Sequence, residues 1–265
     1  MSLSKRDIGI IVGLIFSLVL LKIIINLFYN PLENLISQSL VVWLIYEQIP
    51  HIFIVLFVIV YNKRLIGFSN IKFTFSETIR YFYSSLILAG VITISYLLIS
   101  VFQSYPALLQ VDFFIKTSKD FSPLFYLKIL LIAPLFEELI YRGILLALLL
   151  HHLSPKWSIL LSSILFSILH LNPTQFLLAF ILGLFCGWYY YKTKNLLTCI
   201  IIHSISNLIG VTYIKYFLNI LKLKTITTDI KLFQFNYPWL FLIMSFFLII
   251  VGLFYLNRSL QSEKA

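Results

Sequence analysis

Apolar residues occupy the chain in long runs, and polar residues collect in short stretches between them. Eight such runs stand out, at residues 8–28, 40–61, 81–101, 122–150, 157–171, 174–191, 196–214 and 238–256. A helix that crosses a hydrocarbon core about 30 Å thick needs about 20 apolar residues. Inside lipid every backbone N–H and C=O must be satisfied within the segment itself, which leaves the α-helix as the natural reading of such runs. The pattern therefore predicts an all-α polytopic membrane protein with about eight transmembrane helices. The fourth run is longer than one crossing requires, and tilt or a kink at Pro134 accommodates the excess. The fifth is short and ends at the Asn172-Pro173 turn.

Composition agrees with this reading. The 265 residues are 60% hydrophobic, 17% aromatic and only 11% charged, and the mean hydropathy is +0.98, which excludes an ordinary soluble domain. The net charge of +10 implies no nucleic-acid partner, because the lysines and arginines sit in the connections, where they set topology on an anionic membrane surface. Lys5, Arg6, Lys63, Arg64, Lys192 and Lys194 belong to the side of the amino terminus, which carries more positive charge than the other. Both termini are accordingly expected in the cytoplasm of an integral protein of the bacterial cell membrane. The first run has no small-residue cleavage site and is read as a retained helix. Cys186 and Cys199 lie in apolar segments and build no disulfide framework. The chain divides into an amino-terminal membrane region at 1–120, a helical core at 121–214, and a last connection, helix and tail at 215–265.

One stretch breaks the apolar pattern: Ala133-Pro134-Leu135-Phe136-Glu137-Glu138-Leu139-Ile140-Tyr141-Arg142-Gly143. A charged side chain at the centre of a membrane helix costs about 2.5 to 3.5 kcal/mol on insertion scales, so these residues need partners, water or a function. Glu138 and Arg142 are four apart and share a helix face, whereas Glu137 is turned about 100° from Glu138. The spacing predicts a Glu138–Arg142 pair as structural support and leaves Glu137 for chemistry. With a rise of about 1.5 Å per residue, Glu137 and His170 lie about 20 Å along helices four and five, and His203 and Asn207 about 12 and 18 Å along helix seven. Phe166 and His170 are four apart, as are His203 and Asn207. Helices four, five and seven can thus offer Glu137, His170, His203 and Asn207 to one buried, hydrated pocket.

A carboxylate beside an imidazole can hold a water molecule and take its proton, and apolar surroundings strengthen the carboxylate as a base. A second histidine with an amide can donate hydrogen bonds to the oxyanion formed when water attacks a peptide carbonyl. The alternative for the same groups is a divalent metal such as zinc, with Glu137, His170 and His203 as ligands. No His-Glu-x-x-His motif is present, so hydrolysis follows more firmly than the metal. Elsewhere, Glu47 and His51 suit an interhelical contact. His151 and His152 sit at a helix end, where solvation is the default, Phe166 lines or packs a pocket, and Gly183 with Gly187 permits close helix approach.

Glu137-Glu138-x-x-x-Arg142, Phe166-x-x-x-His170 and His203-x-x-x-Asn207, in this order on successive helices, resemble the CPBP family of intramembrane proteases. That family includes the CAAX prenyl endopeptidases and the Abi-type bacteriocin-processing and self-immunity proteins. The resemblance extends over about residues 121–214. It implies Glu137 as the water-activating residue assisted by His170, His203 and Asn207 as oxyanion donors, Glu138 and Arg142 as support, and a membrane-associated peptide or protein as substrate. Metal dependence and a metal-free glutamate mechanism both stay open. Two other classes compete: an immunity or membrane-complex binding protein that cuts nothing, and a proton-coupled transporter whose Glu and His form a relay.

Overall fold

The computed structural model describes residues 75–101, 123–170, 173–224 and 238–261, with the isolated positions 9, 13, 16 and 20. Among the described residues there is no strand, so the all-α expectation is met. Helix α1 is Phe75–Val101. Helix α2 runs over residues 123–152 in consecutive segments, Pro123–Leu127, Lys128–Ile132, Ala133–Glu138, Leu139–Leu146 and Ala147–His152, of which Lys128–Ile132 and Leu139–Leu146 are wide turns of π type. Helices α3, α4, α5 and α6 are Pro155–Ile168, Pro173–Thr193, Leu196–Lys224 and Pro238–Gln261.

Among the described residues three helices are long and apolar enough to cross a membrane, through Thr78–Ser95 in α1, Gln175–Thr193 in α4 and Trp239–Gln261 in α6. They coincide with the third, sixth and eighth predicted runs. The first two runs fall outside the described residues except for positions 9, 13, 16 and 20, which are helical. Helix α3 has 14 residues, a rise of about 21 Å against the about 30 Å of a hydrocarbon core.

Local chemistry sets the ends of these helices. Pro155 opens α3 directly after Ser154, which is extended at φ −62° and ψ 152°, the position where a missing N–H costs nothing. Between α4 and α5, Lys194 adopts a left-handed φ of 55°, and its N–H donates to the Tyr190 carbonyl at 2.8 Å, an αL cap of the kind usually built on glycine or asparagine. Asn195 then opens α5, its Oδ1 accepting from the Thr198 N–H at 3.3 Å, as an N-cap asparagine does.

The contacts divide the chain into two compact units. Among the described residues the first gathers 131–170 and 179–200, and the second 75–101, 123–130, 173–178, 201–224 and 238–261. In the first unit α4 meets α3 through the predicted small-residue face: a Cβ added at Gly183 would stand 2.9 Å from the Ser163 Cβ, and one at Gly187 would stand 3.1 Å from Ile159 Cγ2.

In the second unit α1 and α6 lie along each other. Tyr83 stacks on Tyr255 with ring centroids 5.2 Å apart. The buried Arg80 donates from Nε to Ser259 Oγ at 3.1 Å and from Nη2 to the Ser259 carbonyl at 3.0 Å. The outer side of α6, with Phe247, Ile250 and Phe254 all more than 60% exposed, is the face for lipid. At Gly252 the helices approach so closely that an added Cβ would lie 2.6 Å from Ile87 Cγ1 and 2.9 Å from the Tyr83 carbonyl oxygen. A backbone atom cannot swing aside as a side chain does. Gly252→Val is therefore expected to destabilise the α1–α6 pair by at least the about 1 to 3 kcal/mol typical of overpacking, read as a lower Tm of the purified protein and reduced accumulation in the membrane.

Candidate active site

The first unit holds the Glu-Glu stretch, and its chemistry follows from what surrounds Arg142. Glu138 and Arg142 are essentially inaccessible, at 0% and 1% exposure. Arg142 Nη1 donates to Glu138 Oε1 at 2.9 Å, the predicted pair. The wide turn Leu139–Leu146 begins between the two residues without separating their side chains. Arg142 Nη2 donates to the Gly183 carbonyl at 3.3 Å, tying α2 to α4 at the point where α4 rests on Ser163.

The flat side of the same guanidinium lies over the Phe166 ring, 4.6 Å from its centroid. A cation over an aromatic face contributes about 2 kcal/mol or more when both are desolvated, and Phe166 is 1% exposed. Phe166 in turn meets two rings edge-on: Tyr141 at 5.2 Å and 64°, and His170 at 5.2 Å and 81°. Glu138, Arg142, Phe166 and His170 thus form one line of contacts, with Tyr141 beside it. The sequence spacing of Phe166 and His170 implied a shared face; the additional finding is that the support pair and the histidine are joined through Phe166.

His170 lies just past the end of α3, where the helix leaves carbonyls without their usual donors. Its own backbone N–H turns to the Ser167 carbonyl at 3.2 Å, and its ring Nδ1 is 3.2 Å from the Phe166 carbonyl oxygen. A carbonyl only accepts, so Nδ1 carries the hydrogen. In the neutral ring the lone pair then sits on Nε2. Glu137 is half-buried on α2 of the same unit.

His203 and Asn207 belong to the second unit. His203 is 3% exposed and Asn207 is half-buried. Asn207 Nδ2 donates to the Ile129 carbonyl at 2.8 Å, inside the wide turn Lys128–Ile132. In such a turn each carbonyl pairs with the N–H five residues on. For Ile129 that position is Pro134, which has no N–H. Asn207 supplies the hydrogen bond that the proline withholds, and a proline kink in the fourth helix is realised as a wide turn closed from outside. Removing that donor leaves a part-buried carbonyl without its partner, at up to about 1 to 3 kcal/mol. Asn207→Ala is therefore expected to lower the Tm of the purified protein in detergent by several degrees, whereas Asn207→Gln, which keeps the amide, recovers part of the loss.

The two cysteines are free and fully buried, and each thiol faces the other's backbone, Cys199 Sγ at 3.5 Å from the Cys186 carbonyl and Cys186 Sγ at 4.0 Å from that of Cys199. Among the described residues no three His, Cys, Asp or Glu side chains gather closely enough to hold a metal ion. Tyr141 has no assignment in the sequence reading, although its place four residues after Glu137 is a signal for a shared face. It is completely buried, and its hydroxyl has no hydrogen-bond partner among the described residues.

No curated protein and no solved structure matches the chain. Residues 119–209 match the family described as type II CAAX prenyl endopeptidase Rce1-like, a stretch that contains Glu137, Glu138, Arg142, His170, His203 and Asn207. Over residues 119–209 the chain is thus similar to an Rce1-like domain, which supports the likeness to the CPBP intramembrane proteases.

Proposed function

We propose that the protein is an intramembrane endopeptidase that hydrolyses a peptide bond in a membrane-associated peptide or protein, either a CAAX-type carboxyl-terminal tail or a peptide precursor. The observation that carries the reading is the fixed ring of His170. With Nδ1–H turned to the Phe166 carbonyl, the neutral ring carries its lone pair on Nε2, the acceptor this reading assigns to the attacking water.

Glu137 takes one proton from that water as its oxygen attacks the scissile carbonyl carbon. The carbonyl π pair moves onto oxygen, and the resulting oxyanion is held by His203 and Asn207. As the tetrahedral intermediate collapses, the C–N bond breaks and Glu137 returns its proton to the departing amine. Glu138 and Arg142 hold the helix that carries Glu137 and touch no reacting atom. Glu137, His170 and His203 would be the ligands of a divalent metal such as zinc, which would supply Lewis-acid polarisation of the scissile carbonyl.

The substrate and the reaction are tested together by comparing membrane peptides from cells carrying the wild-type chain with those from cells carrying Glu137→Ala. A product missing only from the variant identifies the cleaved protein. Identical peptide sets, with both proteins present in the membrane, would overturn the endopeptidase reading in favour of a binding or immunity role.

A further inference from the structure

We infer that the Tyr141 hydroxyl donates a hydrogen bond to the oxygen of the scissile carbonyl, making Tyr141 a further catalytic residue. The inference rests on the endopeptidase reading above. It starts from a cost: a buried O–H with no partner loses about 1 to 3 kcal/mol relative to one that is paired. Phenylalanine would fill the same space without that loss. A buried hydroxyl left unmade is the state expected of a donor whose acceptor arrives from outside the protein.

The surroundings of Tyr141 say what that acceptor is. Its ring is held edge-on to Phe166 at 5.2 Å, and Phe166 is held by Arg142 at 4.6 Å and touches His170 at 5.2 Å. Tyr141 therefore belongs to the same packed group as His170, the histidine to which the reading above assigns the attacking water. It also follows Glu137 by four residues on α2. It lies in the wide turn Leu139–Leu146, and single wide turns inside α-helices collect at functional sites.

Two of the Arg142 donors beside Tyr141 are engaged, Nη1 with Glu138 and Nη2 with the Gly183 carbonyl, and the Arg142 Nε has no partner among the described residues. An oxyanion is best held by more than one donor, and Tyr141 supplies a neutral one on the helix that carries Glu137. In the step itself water loses its proton to Glu137 and the carbonyl π pair moves to oxygen. The phenol keeps its proton throughout and shares it with that oxygen.

Tyr141→Phe keeps the ring and its contact with Phe166 and removes only the hydroxyl. The full chain, reconstituted in phospholipid vesicles, is assayed on a fluorogenic peptide ending in a farnesylated CAAX sequence, with Glu137→Gln alongside. The inference predicts a kcat lowered by about 10²-fold with KM within about twofold, the signature of an interaction made only in the transition state. It also predicts a Tm equal to or above that of the wild type, because the variant loses an unmade polar group. A kcat within about twofold of the wild type overturns the inference, as does a loss of activity accompanied by a lower Tm. In either case an inactive Glu137→Gln shows that the endopeptidase reading survives. If Glu137→Gln cleaves normally, that reading falls and the inference falls with it.

Discussion

Replacing Glu137 with glutamine, or His170 with alanine, is expected to abolish cleavage while the protein still accumulates in the membrane. Glutamine matches glutamate in size but cannot take a proton, so the change removes the base and leaves the shape of α2 intact. General acid–base assistance from a positioned side chain contributes about 10²- to 10⁴-fold, and Glu137 acts twice, on the attacking water and on the leaving amine. The loss should therefore reach the detection limit of a peptide assay. His170→Ala tests a different atom. It removes Nε2 and opens space beside Phe166 but leaves the Glu138–Arg142 pair in place, so kcat should collapse with only a modest drop in Tm. His170→Asn is the sharper variant, because an amide can still reach the Phe166 carbonyl while offering no imidazole lone pair. A variant of either residue that keeps wild-type cleavage would remove it from the chemistry. Measuring protein in the membrane by immunoblot beside the assay separates lost chemistry from lost protein.

The sequence made some of this architecture legible and hid the rest, for physical reasons. Long apolar runs declare themselves because lipid enforces the same rule at every residue, and α1, α4 and α6 fall where hydropathy places them. The Glu138–Arg142 pair was readable because a spacing of four is a local property of a helix. It survives even though the wide turn Leu139–Leu146 begins between the partners. The small-residue face of α4 was readable as well, but its neighbour was not: that Gly183 rests on Ser163 depends on how α3 folds back.

What stayed hidden depends on contacts distant in sequence or on single atoms. Pro134 announces a disturbance in α2, yet whether it becomes a kink or a wide turn depends on Asn207, 78 residues from the Ile129 carbonyl it closes. The tautomer of His170 depends on where α3 stops, and the end of a helix is decided by which carbonyls find donors. Phe166 was readable as a packing residue only. Its place between Arg142, Tyr141 and His170 follows from packing among α2, α3 and α4 that no periodicity encodes.

Removing one partner of the Glu138–Arg142 pair should cost the protein more than any other single change in its core. A buried ion pair broken on one side leaves a charge without compensation, at about 3 to 5 kcal/mol, a large share of the about 5 to 15 kcal/mol that holds a typical domain folded. Glu138→Ala and Arg142→Ala are both expected to lower Tm steeply and to deplete the protein from the membrane. Arg142→Lys should rescue little. A lysine can reach the Glu138 carboxylate, but it has no planar group to lie over Phe166 while also donating to the Gly183 carbonyl, contacts that arginine makes together. The double replacement Glu138→Leu with Arg142→Met is the decisive comparison. With both charges gone no buried charge is left uncompensated, although the Gly183 carbonyl loses its Arg142 donor, and an apolar pair of similar volume can match or exceed a buried ion pair in stability. The double variant should accumulate better than either single alanine variant, which is the non-additivity expected of residues in direct contact. If Glu138 and Arg142 serve only as support, the double variant also retains cleavage, reduced by whatever freedom His170 gains when Phe166 loses its cation. A double variant that is stable but inactive would instead place one of the two among the reacting groups.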